Sequence, residues 1–256
     1  MSESYNHHKF GSYSPVADLS PYAKISEQRL QNPKFIFRFI LDKVNELKSV
    51  DSIKSWTDVG CANGEFLHYL CQGNQECKFT GIDITPSFLE VARQTLSSFS
   101  NVELIEADIL ADKNDIKSDV VSCTGTFQIF PDPTQILNSL VDLVKPGGLL
   151  LIDGCFNPFD ISMTINYLDE SRPEADDLWR CDFNHHSEKM IRRLLKDRSD
   201  VGSVSFFYPV MDTEIAKVPN APHINMWTEP RDEGGFNIIN GMGWHFNPRF
   251  LIIEKR

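Results

Sequence analysis

The residues Asp58-Val59-Gly60-Cys61-Ala62-Asn63-Gly64 place an acid and two glycines directly before a helical pattern. A turn of this kind leaves unpaired N–H groups at the start of the helix. Gly60 lets the backbone turn tightly and approach a ligand, and Gly64 permits close packing where the helix begins. Cys61 and Asn63 lie in the same loop and join it as candidate ligand contacts. Two ligand chemistries compete for such a loop. A dinucleotide pyrophosphate calls for Gly-x-Gly-x-x-Gly, and Ala62 stands at the second glycine. Asp58 argues the same way, because a carboxylate there repels a pyrophosphate and attracts an ammonium group. A further acid, Asp83, lies about 20 residues beyond the loop, where a carboxylate can accept from both hydroxyls of a ribose. Asp108 can accept from the amino group of an adenine. Ile84 and Ile109 follow these acids and can sandwich a flat ring, and Thr124 ends a later apolar run, where a sulfonium would stand beside it. Ammonium, ribose and adenine together describe S-adenosylmethionine (SAM). The plainer alternatives are a turn-only role for Gly60 and Gly64 and a loop-capping role for Asp108.

The elements that must position these residues are legible as alternating patterns. Ser55–Val59, Lys78–Ile84, Val102–Ile109, Val120–Thr124 and Leu149–Asp153 read as strands. The last of these is almost wholly apolar, as a strand covered on both faces should be. Helices are expected between them. Phe66, Leu67 and Leu70 have helical spacing, Thr85 precedes Pro86 as an N-cap, and Asp132-Pro133 opens another helix. Lys145-Pro146-Gly147-Gly148 is expected to close that helix. Two more strands are expected at Val204–Val210 and Phe250–Glu254, and an amphipathic helix at Pro33–Leu47. The order describes an α/β, Rossmann-like, doubly wound domain. The expected organisation is an N-terminal arm and helix over 1–50, a core over 51–154, and cap insertions with the last two strands over 155–256.

Composition narrows the partners. The formal net charge is −11, which opposes general binding to nucleic acid. Lys189 to Arg198 is the nearest basic stretch and fits one solvated helix face. No apolar run approaches the roughly 20 residues that span a bilayer, and Met1–Phe10 lacks the apolar middle of a secretory signal. The six cysteines show no Cys-x-x-Cys pair, so reduced thiols in a cytoplasm are expected.

The segments DVGCANGEFL, TGIDITPSFLEVAR, VELIEADIL, DVVSCTGTFQIF and LVKPGGLLLIDG, in this order from Trp56 to Asp153, resemble class I SAM-dependent methyltransferases. The resemblance implies a seven-stranded, mostly parallel sheet with the last strand antiparallel, and carries Asp58, Gly60, Gly64, Asp83 and Asp108 into SAM-binding roles. Ala62 departs from the glycine-rich pattern, although the looser Asp-x-Gly-x-x-x-Gly form accommodates it. No metal is expected, because Cys123-Thr124 stand where metal-dependent catechol-type enzymes carry acids.

The acceptor is less legible. Methyl transfer needs the nucleophile held about 3 Å from the methyl carbon and in line with the leaving sulfur, and a hydroxyl nucleophile can require a base. The Asn/Asp-Pro-Pro-Tyr run of amino-methylating enzymes is absent after the fourth strand. Asn157-Pro158-Phe159-Asp160 follows the fifth and is read as coincidence, with Asn157 kept as a substrate contact. His185, His223 and His245 are the candidate bases, with His186 beside them. Tyr13, Tyr22, Asn157, Asn184 and Trp227 are the candidate substrate contacts. For each histidine alone, a packing or surface role is the plainer reading. Segments such as FNPFDISMTINYLDE also resemble, more loosely, methyltransferases of bacterial surface-polysaccharide gene clusters. That likeness implies a sugar or nucleotide-linked sugar within a broader class of small-molecule acceptors. The alternatives are a non-enzymatic SAM-binding module and a methyltransferase acting on RNA or protein.

Overall fold

Apolar and β-branched runs form strands that leave few polar side chains to bury, and the intervening amphipathic stretches cover them as helices. The computed structural model of the protein describes residues 25, 27–112, 115–167, 181, 183–217, 226–240, 245–246 and 249–256. Tyr13, Tyr22 and His223 lie outside the described residues, as does the side chain of His245. The chain divides into two compact units, Met1–Thr124 with Ser139–Lys145, and Gly125–Asn138 with Pro146–Arg256.

In the first unit, helices α1 (Glu27–Gln31) and α2 (Phe35–Leu47) precede strand β1 (Ser55–Val59). Then come α3 (Glu65–Gly73), β2 (Lys78–Asp83), α4 (Pro86–Thr95), β3 (Val102–Glu106) and β4 (Ser118–Thr124). β1 lies between β2 and β4, parallel to both, and β2 pairs in parallel with β3. Ile40, Leu67, Ile82, Leu89, Val120 and Val121 are buried in this unit. Burying such a side chain stabilises by roughly 1.5–3 kcal/mol. Helix α2 starts two residues after the expected Pro33. Thr85 takes the N-cap place ahead of Pro86, but its side chain makes no cap hydrogen bond.

Helix α5 (Thr134–Asp142) follows, opened as expected by Asp132, whose Oδ1 accepts from the Thr134 amide at 2.9 Å. The expected stop at Lys145–Gly148 is corrected. The helix already ends at Asp142, and these four residues belong to β5 (Val144–Gly154). Lys145 is held there by Asp119 Oδ1 at 3.1 Å and Ser55 Oγ at 2.8 Å, contacts that no local pattern announces.

The rest of the second unit contains β6 (Phe156–Asn157), β7 (His186–Ser187), α6 (Glu188–Leu195), β8 (Val201–Phe207), β9 (Met226–Pro230), β10 (Phe236–Asn240), β11 (His245–Phe246) and β12 (Arg249–Lys255). The main sheet has seven strands in the order β3-β2-β1-β4-β5-β12-β8. β12 runs antiparallel to β5 and β8, as expected for the last strand. Strand β8 begins and ends three residues before the expected Val204–Val210. A three-stranded antiparallel sheet, β9-β10-β11, lies in chain expected as cap insertion before the last strand. Its β9–β10 turn uses Gly234 and Gly235 at φ 85° and 75°, a left-handed conformation that side chains resist. A Cβ on Gly235 would also stand 2.9 Å from the Met211 carbonyl oxygen. Among the described residues, no helix is long and apolar enough to cross a membrane.

Candidate cofactor site

The first unit brings together most of the loop and strand-end residues singled out from sequence. The chain leaves β1 through Gly60 at φ 75°, Ala62 at φ 46° and Gly64 at φ 78°. The amides of Gly60 and Cys61 both donate to the Ile82 carbonyl, at 2.7 and 3.1 Å, which pins the loop against the end of β2. Gly64 is needed for space as well as conformation: a Cβ there would lie 2.8 Å from Leu96 Cδ1. Cys61 and Asn63 are buried in the loop.

Asp83, at the end of β2, is nearly buried. Its Oδ2 accepts from the Ala62 amide at 2.8 Å and its Oδ1 from the Thr85 amide at 2.9 Å. Burial raises its pKa, against the opposing pull of these backbone donors. Ile84 beside it leaves an apolar side chain 40% exposed, a surface suited to an aromatic ring. Ile109 is half-buried. Asp108 does not end β3, which stops at Glu106; it lies in the following turn and accepts from the Leu110 amide at 2.9 Å. Thr124 is the last residue of β4 and half-buried.

Asp58 is 1% exposed. Its Oδ1 accepts from Ser122 Oγ at 2.6 Å, and Ser122 in turn accepts from the Trp56 indole at 2.9 Å. Burial pushes the Asp58 carboxyl from 3.8 up to about 7, the Ser122 hydrogen bond opposes this, and the nearby Asp83 adds to it. The folded ligand-free protein therefore holds this proton more tightly than the unfolded chain does. Its stability contribution falls as pH rises from 3.8 through about 7. Melting temperatures across this window are expected to decline in the wild type relative to Asp58→Asn, which has no proton to lose. Parallel curves for the two proteins would count against this assignment.

Sequence reasoning missed two supports of this loop. Ser122 orients Asp58 across the β1–β4 pair. Glu65, buried in the first turn of α3, pairs with Arg29 Nε at 2.8 Å and Lys34 Nζ at 2.9 Å, tying the N-terminal helices to the end of the loop. Neither partnership has a local spacing signature.

Asp83→Ala is expected to weaken SAM binding by about 1–3 kcal/mol, because a charged acceptor is lost. The structure adds a second effect. The Ala62 and Thr85 amides lose their acceptor, so the melting temperature should fall as well. Calorimetry and thermal unfolding read the two separately. Unchanged affinity in a folded variant would remove the ribose assignment.

The acceptor-side candidates fall in the second unit. Asn184 is fully buried. Its Nδ2 donates to the Gln128 carbonyl at 2.9 Å and its Oδ1 accepts from the Ile165 amide at 3.2 Å, so its amide serves as an internal tie. Asn157 likewise closes a turn, donating to the Ile161 carbonyl at 2.9 Å and accepting from the Phe159 amide at 3.1 Å. Trp227 lies on β9 with Lys217 Nζ 4.4 Å from its ring centroid. His185 is half-buried, its backbone pairing with Met163, and burial lowers its pKa below 6.5. His186 is buried with its Nε2 3.0 Å from the Phe130 carbonyl, and burial lowers its pKa to about 4.

Residues 57–150 match the family described as methyltransferase domain. The chain is 30% identical over 105 residues to a malonyl-[acyl-carrier protein] O-methyltransferase of Halalkalibacterium halodurans, covering 40% of this chain and 39% of that one. It is 32% identical over 142 residues to a ubiquinone biosynthesis O-methyltransferase of Saccharophagus degradans, covering 54% and 51%. The chain thus spans about half or less of the length of these two curated relatives. The fold is shared with the N-methyltransferase NodS from Bradyrhizobium japonicum WM9, solved in complex with S-adenosyl-L-homocysteine. That similarity has a TM-score of 0.51 at 16% identity over 92% of this chain and 94% of that one. The likeness to a methyltransferase domain thus lies in residues 57–150, which hold the glycine loop and the acids described above.

Proposed function

We propose that the chain is a SAM-dependent methyltransferase that transfers a methyl group to a small-molecule acceptor. The observation that carries this is the set gathered in the first unit: a left-handed glycine loop, the carboxylates of Asp58 and Asp83, and the exposed apolar face of Ile84. The set fits SAM by chemistry. Asp58 with the loop suits the ammonium end, Asp83 the ribose, Asp108 the adenine amino group, and Ile84 with Ile109 the adenine faces. When bound, SAM supplies an electrophilic methyl group on a sulfonium. The protein's own contribution is to hold cofactor and acceptor in line and, for a hydroxyl acceptor, to take up its proton. His185 is the described candidate for that proton. Its lowered pKa keeps the imidazole neutral, and so able to accept, at neutral pH.

Oxygen is the favoured attacking atom, since both curated relatives are O-methyltransferases. Within small molecules, a sugar or nucleotide-linked sugar is the reading supported by the looser sequence resemblance. The test is calorimetry with SAM, followed by incubation with methyl-labelled SAM and separated small-molecule, RNA and protein fractions. Binding with label in the small-molecule fraction is the expected result. Label in RNA or protein overturns the acceptor class, and binding without any transfer leaves a SAM-binding module.

A further inference from the structure

The second unit contains a pair of arginines whose environment is unusual in a chain of net charge −11. Antiparallel pairing sets Phe250 of β12 opposite Phe207 of β8, so the next residues outward, Arg249 and Tyr208, are neighbours. Arg249 also pairs with Gly154, the last residue of β5. The two residues therefore stand where β5 and β8 end, the edge of an α/β sheet at which ligands bind. A second guanidinium arrives from the β9–β10 hairpin. Arg231 is set by the turn, its amide donating to the Gly235 carbonyl at 3.0 Å, and the hairpin is fastened by the Phe236 amide donating to the Met211 carbonyl at 3.1 Å. The guanidinium carbons of Arg249 and Arg231 lie 5.5 and 5.9 Å from the centroid of the Tyr208 ring. An aromatic face can steady a cation, and here one ring stands within reach of two.

Neither cation is fully answered. Arg249 is 23% exposed; its Nη1 meets Glu188 Oε1 at 2.9 Å, but its Nε is buried with no hydrogen-bond partner among the described residues. Arg231 is 24% exposed and its ion pair is long, 3.9 Å to Glu233, whose side chain is 88% exposed. Desolvating guanidinium groups without matching acceptors is costly. Unsatisfied buried donors in a folded protein call for a specific reason, an absent ion among them. Arginine is the side chain best suited to bind carboxylate or phosphate with two parallel hydrogen bonds.

We propose that Arg249, Arg231 and Tyr208 form a cradle for an oxyanion, carboxylate or phosphate, carried by the methyl acceptor. This rests on the methyl-transfer reading above and narrows it to anionic acceptors. Glu188 neutralises part of the Arg249 charge and orients its fork, leaving the second cation to supply the attraction.

The test is calorimetry at low ionic strength on the whole chain, using inorganic phosphate, pyrophosphate and acetate as probes. Wild-type protein should bind at least one of them saturably, and which one it prefers separates phosphate from carboxylate acceptors. Arg231→Gln and Arg249→Gln should each weaken that binding by about tenfold or more, with SAM affinity unchanged in the same samples. Because Arg249→Gln strands Glu188 and can impair folding, Arg231→Gln is decisive, its ion pair with Glu233 being long and exposed. Absence of saturable binding, or unchanged affinity in Arg231→Gln, overturns the cradle. Absence of SAM binding in the wild type is a separate result: it overturns the methyl-transfer reading and leaves the anion measurement to stand alone.

Discussion

Gly60→Val is expected to remove measurable SAM binding, a larger loss than Asp83→Ala produces. Gly60 sits at φ 75°, where an L side chain places its Cβ against backbone oxygen and costs roughly 1–2 kcal/mol. A β-branched side chain is worse accommodated there. The strain cannot relax by shifting the turn, because the Gly60 amide is bound to the Ile82 carbonyl at 2.7 Å and the next amide shares the same acceptor. Ala62, at φ 46°, shows that the loop carries a single methyl in a left-handed conformation at that position. The added methyl groups also occupy space that the close approach of a ligand requires. The measurement is calorimetry with SAM on protein whose far-ultraviolet circular dichroism matches the wild type. Normal affinity in such a protein would show that this loop is not the cofactor site.

His185→Ala is expected to lower the rate at saturating SAM and acceptor by about 10²–10⁴-fold, the usual contribution of a positioned general base. The main chain of this half-buried residue is fixed: the Met163 amide donates to the His185 carbonyl at 2.8 Å, and the His185 amide donates to the Met163 carbonyl at 2.9 Å. Burial disfavours the imidazolium, so the pKa lies below 6.5. The base form is the neutral one. The wild-type rate should therefore hold through neutral pH and fall only as pH drops below 6.5, lower than an unperturbed histidine would give. His186→Ala is the control. That ring is buried against the Phe130 carbonyl, so its loss should lower stability without erasing the acid limb. A His185→Ala rate within a few-fold of wild type, with the acid limb intact, would exclude His185 as the base and pass the same test to His223 and His245.

The residues that define the cofactor loop were readable because their chemistry is local. A left-handed turn admits few residue types, so Gly60 and Gly64 announce it. An acid at or next to the end of a strand stands at the sheet edge, so Asp58 and Asp83 were visible from pattern and spacing. Strand β5 was visible as an apolar run, although its start was taken for a helix stop. Lys145-Pro146-Gly147-Gly148 carries breaker residues, and breakers mark the end of one element without saying that the next has begun. The β9–β10 hairpin has its own signal in Gly234-Gly235 between MWTEP and FNIIN, but neither run is apolar enough to mark a buried strand by pattern.

Sequence by itself determined the α/β order, the parallel core and the glycine-acid loop, because each rests on the conformational limits of neighbouring residues and on period-2 or period-3.6 burial. Only the tertiary structure decided the partners made across long separations. It set Ser122 against Asp58, Arg29 and Lys34 against Glu65, and Asn184 against Gln128. It likewise turned Asn184 and Asn157 from open donors into internal ties, and placed Arg249 and Arg231 around Tyr208. The physical reason is that a side chain's donors, acceptors and charge are fixed by its type. Whether they face water, another residue or a ligand depends on which distant strand is paired beside it, and strand register is a property of the whole sheet.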